Sequence, residues 1–366
     1  MKRCVKCLRP DTLPGCVFNA EGVCPACERF EARKNIPWEA RQEFLHNLCN
    51  EHRATNGSYD CIIPVSGGKD SFYQVNMFKN KYRMNPLLVT VTDPFYHTEE
   101  GTHNFKQIGK AFDCDHITLA LDPNFVKKTS IYGLDKLGST NWAVDKAIYA
   151  FPLQEAIRRN IKLIVYGENV GWEYGGVNGE DTWDANKQIF NDVVKPEGES
   201  MIDELDPLGT KSNCLKYPTE EELKAHKIQA IYTSFFYPWN DLVNVEVAEQ
   251  NGFQRLKGWK REGFIDDYTQ IDSRGYLFNY YLKFMKYGIG RVVDIGSRWV
   301  RYGKITKEEL QQEISLNEGA LDHAILTDFC DTVGMTVEEI TKKMKKWWNT
   351  DVFTLDDQEW EWKDQQ

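Results

Sequence analysis

Two groups of residues in this 366-residue chain have the types and spacing to do chemistry. The first is Pro64-Val65-Ser66-Gly67-Gly68-Lys69-Asp70-Ser71, entered from an apolar run over 59–65 and followed by a helical pattern from 71 to about 82. Strand, glycine turn and helix together make an anion site. Adjacent glycines let the backbone pass close to a phosphate, and the first N–H groups of a helix have no intrahelical partner. The helix dipole adds to their pull. Ser66 and Ser71 supply hydroxyl donors and Lys69 a positive charge. The alternative is an ordinary strand–helix turn. The second group is Cys4-Val5-Lys6-Cys7 and Cys24-Pro25-Ala26-Cys27, with 16 residues between the pairs. That is the spacing of a four-thiolate metal site. The intervening stretch holds Pro10, Pro14, Gly15 and Gly22 and is too short for its own apolar core, so a metal would supply its folding energy. Zinc in a closed, structural site is the expectation; an iron–sulfur cluster and unligated thiols are the alternatives. Cys16 has no paired neighbour and is not assigned.

The glycine run is not a Walker P-loop, which needs G-x-x-x-x-G-K-[ST]. It resembles the SGGxDS signature of the PP-loop ATP pyrophosphatases. That family grips the β,γ-pyrophosphate of ATP, cleaves between the α and β phosphates, and uses the AMP to activate a carbonyl oxygen. The resemblance makes Val65, Ser66, Gly67, Gly68, Lys69, Asp70 and Ser71 the ATP-site candidates. Thr92 and Gly167, at the ends of two further strands, join them.

The totals bound the rest. Composition is ordinary for a globular protein, 41% hydrophobic and 27% charged. A net charge of −10 argues against a large nucleic-acid footprint. The start, Met1-Lys2-Arg3-Cys4, does not resemble a signal peptide, and the apolar runs stop short of the ~20 residues that span a bilayer. The chain reads as soluble and cytoplasmic, with no membrane partner. Ten cysteines, four of them in CxxC pairs, fit metal binding in a reducing compartment better than a disulfide scaffold.

Several elements must position these groups. A helical pattern runs from about 38 to 52, with Phe44, Leu45 and Leu48 apolar. Strands and helices then alternate: strand 59–65, helix 71–82, strand 87–91, helix 99–112, strand 116–121, helix 143–160, strand 161–166. That order predicts an α/β fold with a parallel, Rossmann-like sheet and ligands at the carboxyl ends of the strands. Three strand ends carry polar clusters: the glycine loop, Thr92-Asp93-Pro94 through His97, and Gly167-Glu168-Asn169. Residues 170–226 lack a clear period; Gly171-Trp172-Glu173-Tyr174-Gly175-Gly176 within them suits either a lid or a solvated insertion. A further strand is expected over 228–236. The last hundred residues read as mainly helical, over 277–287, 307–316, 320–334 and 337–348, with a basic run of Lys283, Lys286, Arg291, Arg298 and Arg301. Such a run is either a carboxylate or phosphate site or a solvated face. The tail, 351–366, is acidic and aromatic and is expected to be partly disordered. The divisions are a knuckle at 1–30, a linker helix at 31–56, an ATP-binding domain at 57–255 and a helical region at 256–366.

Taken together, the cysteine pairs, the run from Tyr59 to Ser71, Tyr166-Gly167-Glu168-Asn169 and Leu282-Lys283-Phe284-Met285-Lys286-Tyr287-Gly288 resemble the N-acetyl sugar amidotransferases over almost the full length. These are PP-loop enzymes of bacterial surface-polysaccharide and nonulosonic-acid synthesis, with an adenine nucleotide alpha hydrolase-like fold. The resemblance implies that ATP adenylates the oxygen of an acetamido group on an activated sugar. Ammonia then attacks the carbon and AMP leaves, giving an acetamidino group. Ser66, Gly67, Gly68 and Ser71 would hold pyrophosphate while Lys69 offsets its charge. Asp70, a carboxylate beside phosphates, would bind Mg²⁺ or set the loop geometry. Glu168 would handle ammonia's proton or a metal, or would only cap the next helix. Lys283, Arg291 and Arg298 are candidates for an acidic sugar or its diphosphate; Trp172 and Trp239 are candidates for sugar stacking.

Neither a class II glutaminase nucleophile nor a class I G-x-C-x-G elbow is present: residue 2 is Lys, and Gly22-Val23-Cys24-Pro25-Ala26 lacks the last glycine. Ammonia is therefore expected from a separate glutaminase, for which the resemblance suggests a HisH/HisF-like pair; the knuckle is a candidate docking surface for it. The competing readings are a PP-loop tRNA-modifying enzyme, disfavoured by the acidic charge, and a zinc-ribbon scaffold without catalysis.

Overall fold

The computed structural model describes residues 1–176, 179–188, 202–356 and 359–363. Residues 177–178 and 189–201 of the long insertion, and 357–358 and 364–366 of the tail, lie outside the described residues. Its centre is a parallel sheet of β1 (Cys61–Pro64), β2 (Pro86–Thr92), β3 (His116–Ala120), β4 (Leu163–Tyr166) and β5 (Gln229–Tyr232), in the order β3-β2-β1-β4-β5. Ile62 of β1 pairs with Leu87 on one side and Ile164 on the other, so β1 is central. Alternation along β1 splits two cores. Cys61 and Ile63 point into one, with Leu45, Leu48, Phe72, Val75, Ile108 and Phe112. Ile62 points into the other, with Phe151, Leu153, Ala156 and Leu223. Both faces are covered by helices, which is why the strands read as unbroken apolar runs.

The helices around this sheet are α1 (Pro25–Ala32), α2 (Trp38–Glu51), α3 (Lys69–Asn76), α4 (Glu99–Phe112), α5 (Pro123–Lys136), α6 (Trp142–Arg159), α7 (Val170–Tyr174), α8 (Glu220–Ala225) and α9 (Asp241–Gln250). Beyond them come α10 (Phe278–Tyr287), α11 (Arg291–Arg301), α12 (Lys307–Asn317), α13 (His323–Val333) and α14 (Val337–Met344). Thr306 with Glu309, and Thr336 with Glu339, form reciprocal capping boxes that start α12 and α14. No described helix is long and apolar enough to cross a membrane.

Three departures from the sequence reading have local causes. The strand expected over 228–236 ends at Tyr232, where Thr233 Oγ1 donates to Tyr166 O at 2.9 Å and Ser234 N–H to Gly167 O at 3.0 Å. Those bonds curl 233–236 into a helical turn against the end of β4. Helix α5 was not expected, because half of its buried face is Thr129, Ser130 and Gly133 and shows no apolar period. The tail is not disordered where it is described: β6 (Phe353–Asp356) and β7 (Glu359–Trp362) form an antiparallel hairpin. Trp360 stacks on Trp348 with ring centroids 5.2 Å apart, and Phe353 packs edge-on against Phe284.

Candidate functional site

In the order β3-β2-β1-β4-β5 the chain runs outward from β1 in one direction and from β4 in the other, so a crevice opens between the two carboxyl ends. A cavity of about 560 Å³ lies there. Ser66, Gly67, Gly68, Lys69 and Asp70 line it from the loop after β1, and Glu168 from the loop after β4.

The loop is built to present backbone donors. Ser71 Oγ accepts Ser66 N–H at 3.0 Å, and Ser66 Oγ accepts Gly68 N–H at 3.2 Å. Ser71 itself is buried and shapes the turn from beneath. Gly67 has φ +82, and a Cβ there would lie 2.9 Å from the Phe105 backbone of α4, so only glycine fits. Gly68 precedes α3 with no side-chain cap, leaving the first helical N–H groups available. Lys69 is buried and donates to Asp70 Oδ2 at 2.6 Å. Asp70 Oδ1 accepts from Asn244 of α9 at 2.7 Å. Asp70 is thus held in place while keeping part of its surface in the cavity.

Glu168 is half-buried. Burial and the neighbouring Asp70 carboxylate hold its carboxyl above the ordinary value, against the opposing charges of Lys69 and Arg298. It does not cap α7: that is done by Asn169, whose side chain accepts Trp172 N–H at 3.1 Å. Gly167 does not line the cavity; a Cβ there would approach the Trp239 ring at 3.1 Å. Val65 sits in the core with its N–H on Val89 O, and Thr92 ends β2 with its carbonyl on Leu121 N–H. Neither reaches the cavity.

The wall opposite the glycine loop comes from the C-terminal region. Lys283 of α10 and Arg291 and Arg298 of α11 all line it, around Asp294. Lys283 Nζ donates to Asp294 Oδ2 at 2.6 Å, and Arg298 Nε to Asp294 O at 3.1 Å. Burial pushes the Asp294 carboxyl up, but the charges of Lys283, Arg9, Arg291 and Arg298 outweigh it and hold it well below the usual range. Tyr280 lies under the Arg291 guanidinium at 4.6 Å and Tyr174 under Arg298 at 4.4 Å. The segment Tyr268–Ser273 closes the side of the cavity, pinned by Arg261, which donates to Thr269 O at 2.9 Å and to Gln270 O at 3.1 Å. At the end of β2, Asp93 accepts from Ser273 Oγ at 2.9 Å, and burial lifts its carboxyl to about 6.

Trp172 and Trp239 stay outside this cavity. Trp172 packs under the Arg29 guanidinium at 5.7 Å, where α1 meets α7. Trp239 is buried edge-on against Tyr73 and faces a separate groove with Phe30, Trp38 and Tyr302. Contributors not singled out from sequence include Arg9, Asn244, Asp294 and the 268–273 segment. Asp294 had a readable signal, since positions 291, 294 and 298 share one helical face. The other three arrive from distant parts of the chain.

The sulfurs of Cys4, Cys7, Cys24 and Cys27 are buried and lie within 4.8 Å of one another. Cys4–Cys27 and Cys7–Cys24 are 4.0 and 3.6 Å apart, and all ten cysteines are free of disulfides. A tetrahedral ion with metal–sulfur bonds of about 2.3 Å sets sulfurs just under ~4 Å apart, so the donor set fits one metal ion. Arg301 Nη1 reaches Cys7 Sγ at 3.7 Å and would offset thiolate charge. The module is tied to the sheet domain by an ion pair of Arg33 with buried Glu173 and by Arg29 on Gly171 O.

Residues 253–365 match the family of LPS biosynthesis protein WbpG-like C-terminal domains. All of the basic wall except Arg9 lies in that segment. A stretch of 81 residues is 37% identical to an uncharacterized protein of Methanocaldococcus jannaschii, covering 22% of this chain and 27% of that one. The chain therefore matches about a quarter of that relative's length. Among solved structures, NMN synthetase from Francisella tularensis aligns over 61% of this chain and 89% of its own, with 13% identity and a TM-score of 0.30. The U34-tRNA thiolase NcsA from Methanococcus maripaludis, with its [4Fe-4S] cluster, aligns over 91% and 95%, with 12% identity and a TM-score of 0.32. NAD+ synthetase from Burkholderia pseudomallei aligns over 61% and 86%, with 15% identity and a TM-score of 0.25.

Proposed function

We propose that the chain is an AMP-forming amidotransferase that converts the acetamido group of an activated sugar to an acetamidino group. The observation that carries this reading is one cavity shared by the SGGKDS loop and the basic wall of the WbpG-like segment. One side suits the phosphates of ATP and the other an anionic acceptor. The backbone N–H groups at Gly67 and the start of α3 receive the β,γ-pyrophosphate, and Lys69 offsets its charge as it departs. The acetamido oxygen attacks the α-phosphorus and pyrophosphate leaves with the electrons of the broken P–O bond. Ammonia adds to the activated carbon and gives up a proton, and AMP leaves carrying the former amide oxygen. Glu168, which lines the cavity with the glycine loop, is read as the group that takes that proton, and burial raises its pKa in the direction that favours accepting one. Asp70, partly exposed beside the phosphate loop, is the residue to hold Mg²⁺, which would neutralise its repulsion with the phosphates.

The four clustered thiolates are read as a structural zinc site with no step in the chemistry. Ammonia is read as coming from a separate glutaminase, so the chain alone should release none from glutamine. Phosphorus NMR of the protein with Mg-ATP, ammonium and a panel of acetamido sugar nucleotides tests the reaction. AMP and pyrophosphate appearing with a single acceptor is the expected result. ADP and phosphate would overturn it, and AMP formed only with tRNA would point to a tRNA-modifying enzyme instead.

A further inference from the structure

Arg9 belongs to the cysteine module, two residues beyond Cys7, yet its side chain lines the same cavity as the glycine loop. The turn that brings it there is part of the knuckle: Leu8 adopts φ +60, and Arg9 O accepts Cys4 N–H at 2.8 Å. Arg9 is only 3% exposed, and its Nε has no hydrogen-bond partner among the described residues. Its ion pair with Asp294 is long, 3.9 Å. Arg291 repeats the pattern, 7% exposed with its Nε unpartnered. A buried donor left unmet is destabilising, and a charged one more so, unless something else occupies it.

Counted over the whole cavity, cations and carboxylates balance, but they are segregated. Asp70 and Glu168 lie with Lys69, while Asp93 and Asp272 lie with His97. Asp294 is the carboxylate that Arg9, Lys283 and Arg291 surround, while Arg298 also faces Glu168 and Asp241, and the Asp266 beside Arg291 is paired with Arg261. Three cations around one carboxylate leave that corner positive, on the wall opposite the loop that would take the phosphates of ATP.

We propose that Arg9 and Arg291, with Lys283 beside them, form the subsite for the diphosphate of a sugar-nucleotide acceptor, so that the metal-held module completes the substrate site. This rests on the amidotransferase reading above. Guanidinium forks match phosphate oxygens in pairs, and both are already buried with donors to spare. The module is then more than a docking platform: the fold that a metal stabilises places one of the acceptor's ligands.

Calorimetric titration of the full chain tests this, with UDP and glucuronate as probes and the nucleotide site filled by Mg-α,β-methylene-ATP. Arg9→Gln is expected to weaken UDP at least about tenfold while α,β-methylene-ATP binds within about twofold of the parent. Metal content should stay unchanged. Unaltered UDP affinity in Arg9→Gln, or no UDP binding by the parent, would overturn the subsite. Should Arg9→Gln lose metal and fold, Arg9→Lys decides: it keeps the charge without the fork, and a weakening of about threefold or more is expected, while none would overturn the proposal. Arg9-dependent binding of glucuronate but not UDP would overturn the diphosphate assignment. Failure of α,β-methylene-ATP to bind, with UDP still dependent on Arg9, would sink the ATP reading and leave the anion subsite standing.

Discussion

Replacing Asp294 by Asn removes the carboxylate that Arg9, Lys283 and Arg291 surround while keeping the side chain's shape. Asp294 lies 2.6 Å from Lys283 Nζ and 3.9 Å from Arg9 Nη1, with 11% of its side chain exposed. At an effective dielectric of about 20, a pair about 4 Å apart attracts by about 4 kcal/mol. Against that stands the carboxylate's desolvation, which asparagine escapes, so the net loss is about 3 kcal/mol. Unfolding entropy of about 2 cal/mol/K per residue turns this into a fall in Tm of about 4 °C for a chain of this length unfolding as one unit. The pH dependence has a definite sign. The folded pKa of Asp294 is depressed, so its contribution is complete above the unfolded value of about 3.9 and is lost as pH falls through the folded value. The gap in Tm between parent and Asp294→Asn should therefore be full at pH 7 and close below about pH 4. Pyrophosphate, compared with potassium chloride at equal ionic strength, should restore most of the lost Tm by supplying the missing charge. Differential scanning fluorimetry reads both effects. An Asp294→Asn protein as stable as the parent, or one that pyrophosphate helps no more than the parent, would refute the argument.

Three other perturbations separate the parts of the site. Gly67→Ala places a Cβ 2.9 Å from the Phe105 backbone at φ +82, a strain of about 1–3 kcal/mol, and should cut pyrophosphate release at least tenfold. Glu168→Gln should lower turnover by about 10²–10⁴-fold with the KM for Mg-ATP retained. Because burial raises the Glu168 pKa, the parent's rate should fall with acid over a limb displaced above the ordinary carboxylate range, and stopped-flow pH profiles should show that limb absent from Glu168→Gln. Trp172→Ala removes the ring beneath Arg29 at the junction of α1 and α7, and should leave the acceptor KM unchanged while speeding metal release to a chromogenic chelator. An altered KM with unaltered release would return Trp172 to the acceptor site.

The glycine loop was readable because its parts are neighbours in the chain: strand, Ser66 to Ser71 and helix lie within a single turn of structure, and their order alone dictates the cradle. The same holds for the cysteine pairs, whose short spacings bring two sulfurs together on each knuckle. Lys283, Arg291 and Arg298 were named from a charge run that fits a solvated face equally well; packing decided for the cavity. Trp172 and Trp239 went the other way, since a tryptophan's chemistry is the same in a binding site and in a domain junction. Helix α5 was missed because Thr129, Ser130 and Gly133 share its buried face, and hydrophobic period then says nothing.

From the sequence alone came the strand–glycine turn–helix, the four-cysteine cluster and the alternating α/β order, each set by residues a few positions apart. Which side chains meet in the cavity was decided by tertiary structure. Arg9, Asn244, Glu168 and Asp294 are separated by much of the chain, and no local pattern encodes their meeting. The fold brings them together because the strand order reverses between β1 and β4, and because α1 clamps the cysteine module against α7 at the mouth of that crevice.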